Sequence, residues 1–365
     1  MRISASGAVI SGAWVAGDLE IHDGRVVRCG LPATGKGVVL PGLIDAHVCG
    51  YAGADFNTAD AEGIAIARAA LLRDGVFAFQ PTVITDDVDV MVRQFRRIAD
   101  APGEAHGLSG ILGVHAEGPF LSPDHRGVHR PEFLRKPDID IVTRLREAGP
   151  LTTLTIAPEL DGALPLISWA ARQGIAVHLG HTGADAATAR EAFARGARGV
   201  THLFNGMAPF HHREPNVAAV ALARSGITIQ LIADDVHVAT EVAETALRAA
   251  ADRIVLVTDS TSAAGGADGP LTIAGLSVMV VDGVPRLADG TLAGSTVTLF
   301  EQVARLVRRG WAPDTAVNLA SRAPARTLTR AGSGELQLGG LADLLVTTDD
   351  FRLDRVLQAG VDVKR

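Results

Sequence analysis

At 365 residues the chain has room for one large α/β barrel and a small accessory domain, well above the size at which burying a core becomes difficult. Hydrophobic residues at 47% and charged ones at 21% are those of an ordinary soluble globular protein, and a net charge of -7 leaves no overall electrostatic footprint for nucleic acid, so any anion site has to be local. The two cysteines, Cys29 and Cys49, are too few for a disulfide framework and fit a reducing compartment, for which the cytoplasm is the default.

The first forty residues read as short strands separated by turns, with Asp23-Gly24 between Leu19-Glu20-Ile21 and Arg25-Val26-Val27. Their apolar pieces, such as Ala8-Val9-Ile10, are interrupted by Gly, Asp and Glu before a targeting segment or membrane span could form. From Val38 onward short apolar strands alternate with alanine-rich helical stretches, the rhythm of a parallel barrel. The predicted barrel strands are 43–47, 76–81, 111–117, 154–157, 176–179, 199–203, 228–232 and 254–258. Helical spacing marks 61–73, 88–100, 187–195 and 242–251 as parts of an outer ring. A hairpin over 276–287 turns at Asp282-Gly283, and a last helix covers 298–309. The tail from Gly334 is strand-like again and returns to pair with the N-terminal unit. The expected fold is therefore a (β/α)8 TIM-like barrel over 43–325 with a small discontinuous β-sandwich domain built from 1–42 and 326–365.

The conspicuous His, Asp and Glu residues fall at the C-terminal ends of predicted strands, the face on which such barrels build active sites. His47 and Cys49, two apart on a strand, share a face and could meet one metal, or be a hydrogen-bonded barrel histidine and a small core residue. Glu117 closes an apolar strand before Gly118-Pro119, where a buried carboxylate needs a cation unless it caps a helix or pairs with an arginine. His181 follows a strand whose alternation turns His178 elsewhere, and His202 lies on the next one. One carboxylate and two imidazoles form a metal triad with room for water. Asp259 ends the last strand, as a general base and acid for amide hydrolysis or as a turn-forming residue.

Read together, Pro41-Gly42-Leu43-Ile44-Asp45, His115 to Phe120, Gly180-His181-Thr182, Thr201 to Met207, Arg213-Glu214-Pro215 and Thr291 to Ser295 resemble the N-acetylglucosamine-6-phosphate deacetylases of the amidohydrolase superfamily. The likeness runs in order across almost the whole chain. It implies a divalent metal, zinc first with Fe, Co or Mn as alternatives, held by Glu117, His181 and His202, with His47 and Cys49 at a second candidate metal position. It implies Asp259 as acid and base, and His129 as the group polarising the acetyl carbonyl. By the same resemblance Val128, Asn205, Gly206, Arg213, His237, Leu292, Ala293 and Gly294 meet the substrate, an amino-sugar phosphate. Arg213 then reaches the neighbouring site of a homodimer, as a guanidinium suits phosphate.

The chain departs from the family at three places. His47-Val48-Cys49 stands where many members have His-x-His, so that Cys49 either gives a thiolate to the metal or marks a lost second position. Asp235 and Asn216 stand where glycines are usual. The resemblance thus implies hydrolysis of N-acetylglucosamine 6-phosphate. A deacetylase for N-acetylgalactosamine 6-phosphate or an N-acyl amino acid, or a barrel serving as a non-catalytic scaffold, are the competing expectations.

Overall fold

The computed structural model describes residues 1–103, 105–328 and 334–363. Eight parallel strands form the barrel: β1 (Leu43–Val48), β2 (Val76–Ile84), β3 (Val114–Glu117), β4 (Leu151–Ile156), β5 (Ala176–Leu179), β6 (Gly199–Val200), β7 (Thr228–Leu231) and β8 (Ile254–Leu256). Each pairs with the next in parallel register. Beyond the end of β8 the chain closes the ring onto β1, the Thr258 amide donating to Asp45 Oδ1 at 3.2 Å and the Asp259 amide to the His47 carbonyl at 3.0 Å. The seam is thus made by polar residues at the mouth where the chemistry is expected.

Several strands are shorter than their apolar runs suggest. β6 stops at Val200 and β8 at Leu256, because His202, Phe204 and Asp259 take left-handed backbone with φ of 30°, 77° and 50°. Side chains other than glycine pay for that conformation in strain, and such residues concentrate at functional sites. The expected strand 111–117 is two pieces, Gly110–Ile111 pairing with the edge of β2, and then β3.

Several outer helices begin where an acid or hydroxyl side chain caps the first turn. Asp60 accepts from the Gly63 amide ahead of Ala61–Arg73, Asp185 from Thr188 ahead of Ala186–Ala194, and Thr298 from Glu301 ahead of Leu299–Arg308. Helix Val88–Ala99 buries Val88, Met91, Val92, Phe95 and Ile98, the three-to-four spacing of one face. Removing a ring such as Phe95 from that interface would cost about 3–5 kcal/mol. Three further ring helices, Ile139–Ala148, Ala163–Arg172 and Val217–Ala223, were not marked from the sequence and are found in the structure.

The ends of the chain meet in two sheets. A six-stranded sheet runs in the order Val361–Asp362, Leu353–Gln358, Leu344–Thr347, Val38–Pro41, Gly7–Ile10 and Ala13–Ala16, and a three-stranded one joins Arg2–Ile3, Asp18–His22 and Arg25–Leu31. Val346 pairs with Val39 and Leu344 with Pro41, which ties the tail to the beginning. Ile3, Leu19, Ile21, Val26, Val39, Leu344 and Leu357 fill one core between them. The antiparallel hairpin region, Gly269–Ile273, Leu276–Val281 and Val284–Arg286, lays Ile273 and Val278 against Cys49, Ile84 and Ala293 as an apolar wall beside the barrel mouth.

Candidate active site

Glu117 ends β3 with its carboxylate 3% exposed, and its two oxygens face different partners. Oε1 lies 2.8 Å from His202 Nε2 and 3.2 Å from His181 Nε2, and those two nitrogens are 3.1 Å apart. Oε2 lies 3.4 Å from His47 Nε2 and 3.9 Å from His129 Nε2. Asp259 Oδ1 sits 3.2 Å from His47 Nε2, and the Cys49 thiol donates to it at 3.4 Å. Segments from five barrel strands thus place Glu117, His181, His202, His47, Cys49 and Asp259 around one point.

The other edges of the rings fix which nitrogens face that point. His181 Nδ1–H donates to the His125 carbonyl at 2.8 Å and His47 Nδ1–H to Gln230 Oε1 at 3.3 Å, so each Nε2 is left as a lone pair directed inward. His47 Nε2 is fully buried and has no hydrogen-bond partner of its own. Lone pairs and carboxylate oxygens packed this closely repel each other unless a cation lies among them. Two groupings satisfy ligand spacing, Glu117 with His129 and His181, and His47 with Cys49, Glu117 and Asp259, each with its donor atoms within 4.8 Å of one another. Imidazole, carboxylate and thiolate together suit a divalent transition ion.

His129 differs from the others. The Thr85 amide donates to its Nδ1 at 3.3 Å, so the proton of the neutral ring is on Nε2, facing the cavity as a donor and not as a ligand. Burial, helped by the neighbouring His181, pushes its pKa down to about 3 and keeps it neutral. For His47 burial works the same way, but the charges of Asp259 and Glu117 win and raise it to about 9. Burial and those same carboxylates push the Cys49 thiol up. The centre is short of positive charge, and a metal ion supplies what a proton otherwise would.

A cavity of about 250 Å³ opens over these atoms. Val128, His129, Asn205, Gly206, His237 and Leu292 to Gly294 line it together with Glu117, His181, His202, Asp259 and Cys49. Gly206, at φ 57°, sits where an added Cβ would be 2.7 Å from His181 Nδ1, so only glycine lets the backbone approach the ring. His178 points away, into a small polar space inside the barrel with Gln80 and Thr153. Arg213 is not among the lining residues. It is exposed and contacts His212 Nε2 at 3.0 Å. Thr291, from the Thr291 to Ser295 motif, also lines the cavity; so do Thr261 and Ile273, while Gln230, Thr85 and the His125 carbonyl orient its histidines, and these five were not singled out from sequence. A buried glutamine in the apolar run Ile229-Gln230-Leu231 was the one signal available.

The family model for the amidohydrolase family matches residues 38–362. N-acetylglucosamine-6-phosphate deacetylase of Bacillus subtilis (strain 168) is 36% identical over 333 residues, 88% of this chain and 83% of the relative. N-acetylgalactosamine-6-phosphate deacetylase of Escherichia coli O157:H7 is 33% identical over 323 residues, covering 87% of this chain and 86% of the relative. Among solved structures, N-acetyl-D-glucosamine-6-phosphate deacetylase of Mycobacterium smegmatis in complex with N-acetyl-D-glucosamine-6-phosphate superimposes with a TM-score of 0.93 at 33% identity, over 100% of this chain and 99% of that one. The chain belongs to the amidohydrolase family and, within it, to the N-acetylglucosamine-6-phosphate deacetylase family.

Proposed function

We propose that this enzyme hydrolyses N-acetylglucosamine 6-phosphate to glucosamine 6-phosphate and acetate. The observation that carries the reading is the meeting of Glu117 Oε1 with the inward nitrogens of His181 and His202, beside Asp259 and beneath a cavity edged by the Nε2–H of His129. Glu117, His181 and His202 would hold a divalent ion, zinc suiting these donors first and iron, cobalt or manganese next, and such an ion would supply Lewis-acid polarisation and make water more acidic. His47, Cys49, Glu117 Oε2 and Asp259 offer a second position, softened by the sulfur.

The residues of the chain then divide the work. Asp259 takes a proton from the attacking water, whose oxygen bonds to the acetyl carbon. His129 Nε2–H donates to the carbonyl oxygen as negative charge collects there, an interaction worth about 10²–10³ in rate. Asp259 returns the proton to the sugar nitrogen, the C–N bond breaks and acetate leaves. Val128, Asn205 and Gly206 hold the sugar, Leu292, Ala293 and Gly294 close over it, and His237 meets the phosphate. Arg213, exposed in the single chain, serves the phosphate of a second copy, which makes the enzyme a homodimer. A phosphorylated sugar as substrate and two free cysteines support a cytoplasmic location.

The Escherichia coli relative supports a second reading, in which the 4-epimer N-acetylgalactosamine 6-phosphate is the substrate. Acetate release after chelation and reloading with defined metals, measured for both hexosamine phosphates and for the unphosphorylated sugars, decides among these. N-acetylglucosamine 6-phosphate should give the highest kcat/KM. Faster turnover of the galactosamine epimer selects the second reading, and equal turnover of unphosphorylated sugars overturns both.

A further inference from the structure

Asp234, just past β7, is 2% exposed and has every lone-pair direction filled. Its Oδ1 accepts the amides of Val236 at 2.9 Å and His237 at 2.8 Å. Its Oδ2 accepts the Nδ1–H of His237 at 2.8 Å and the hydroxyl of Ser295 at 2.8 Å. Ser295 directly follows Gly294 of the loop that lines the cavity. Its amide donates to the Asp259 carbonyl at 3.0 Å, and its own carbonyl accepts the Thr261 amide at 3.3 Å. One carboxylate therefore joins three parts of the mouth: the histidine loop, the covering loop and the strand end that carries Asp259.

We propose that Asp234 is the positioning residue for the sugar-phosphate end of the site, fixing the His237 ring so that its Nε2–H faces the cavity and locking the covering loop to that ring through Ser295. The proposal rests on the reading above, in which His237 meets the phosphate. With Nδ1–H committed to Asp234, the only polar atom His237 can offer the cavity is Nε2. A carboxylate partner keeps a proton on both nitrogens, which makes the ring a cationic donor to an anion. Burial opposes that charge, but the hydrogen bond and charge of Asp234, with Asp259 from the end of β8, outweigh it against Arg286 from the hairpin, and the ring's pKa is raised. Behind the loop Asp235 is paired with Arg305 at 3.1 Å, so Asp234 is the acid left to His237.

The full-length, metal-loaded enzyme tests this with three variants, His237→Gln, Asp234→Asn and Ser295→Ala. Each is assayed for KM and kcat on N-acetylglucosamine 6-phosphate and on N-acetylglucosamine. Asp234→Asn should raise KM for the phosphorylated sugar by about tenfold while kcat falls less, and the rise should steepen with pH as the uncharged ring takes over. Ser295→Ala should give a smaller rise, roughly two- to threefold. If His237→Gln leaves the preference for the phosphorylated sugar intact, the phosphate assignment of His237 fails, and this inference with it. If His237→Gln abolishes the preference and Asp234→Asn does not, the inference alone fails. Nitrogen NMR of the ¹⁵N-histidine-labelled native enzyme does not depend on any variant folding. It should show both His237 nitrogens protonated near neutral pH, and a ring that loses a proton at the ordinary histidine value overturns the proposal.

Discussion

Two buried carboxylates, one in each part of the molecule, show how alike burial and how unlike purpose can be. Asp18, in the small β unit, accepts the amides of Ala5 and Thr34 at 2.9 Å each, the Thr34 hydroxyl at 2.6 Å and Arg2 Nε at 2.8 Å. All its partners are donors whatever the pH, and the carboxylate is satisfied by the fold itself. Glu117 instead faces the Nε2 atoms of His47, His181 and His202, and the Nδ1 bonds of His47 and His181 turn two of these into acceptors. Such an arrangement is stable only with a cation in it. The inventory of donors, not the depth of burial, separates a structural acid from a functional one.

The comparison breaks most visibly at Glu117. Glu117→Gln should lose stoichiometric metal and at least about 10³ of kcat/KM, since the ligand and the charge both go. Chelation of the native protein should do the same and also lower the unfolding midpoint, because an ion that binds only the folded chain stabilises it. Elemental analysis and thermal melts check both. A Glu117→Gln protein that retains its metal would mean that Glu117, like Asp18, is satisfied by the fold itself.

Asp259→Asn tests the neighbour of that centre. It should cost about 10²–10⁴ in kcat through the lost proton transfer while one ion per chain remains bound. Loss of metal and activity together would make Asp259 chiefly a ligand. Cys49 sharpens the picture further. The cobalt-substituted enzyme should show the intense near-ultraviolet charge-transfer band of a thiolate bound to the metal, and Cys49→Ser should remove it with a smaller fall in rate than Asp259→Asn. A spectrum unchanged by Cys49→Ser would leave the sulfur as a core residue, packed against Ile84, Ile273 and Ala293.

What the chain order disclosed of this contrast follows from its chemistry. Apolar runs ending in Glu, His or Asp located the barrel mouth, and the alternation of a strand was enough to turn His178 away from His181. The left-handed backbone at His181, His202 and Asp259 was invisible, because apolar runs continue past the point where the strand stops, and strain is a property of the assembled site. Thr85 and Gln230 also escaped notice, since each acts only through a histidine from a distant segment. Arg213 shows the opposite limit: a motif marks it, while the single chain leaves it on the surface.

The smallest effect is expected at Asp18, and its pH dependence is what distinguishes it from the metal centre. The Thr34 hydroxyl first, then the Ala5 amide, hold its carboxyl well below the ordinary range. A group whose acidity is increased by folding stabilises the native chain above its unfolded pKa of about 3.9, and that contribution fades as pH falls through the lower folded value. Asp18→Asn should therefore unfold a few degrees below the wild type at pH 7, with kcat unchanged, and the two melting curves should begin to converge below about pH 4 and meet only in stronger acid. The metal centre yields sooner, because imidazole is a stronger base than carboxylate and protons compete with the ion for it. Between these two ranges acid should strip the ion and the activity from a chain whose small β unit is still intact. Circular dichroism and metal content followed through one titration would show the two events separately, and their coincidence would mean that the barrel mouth and the β unit unfold as a single element.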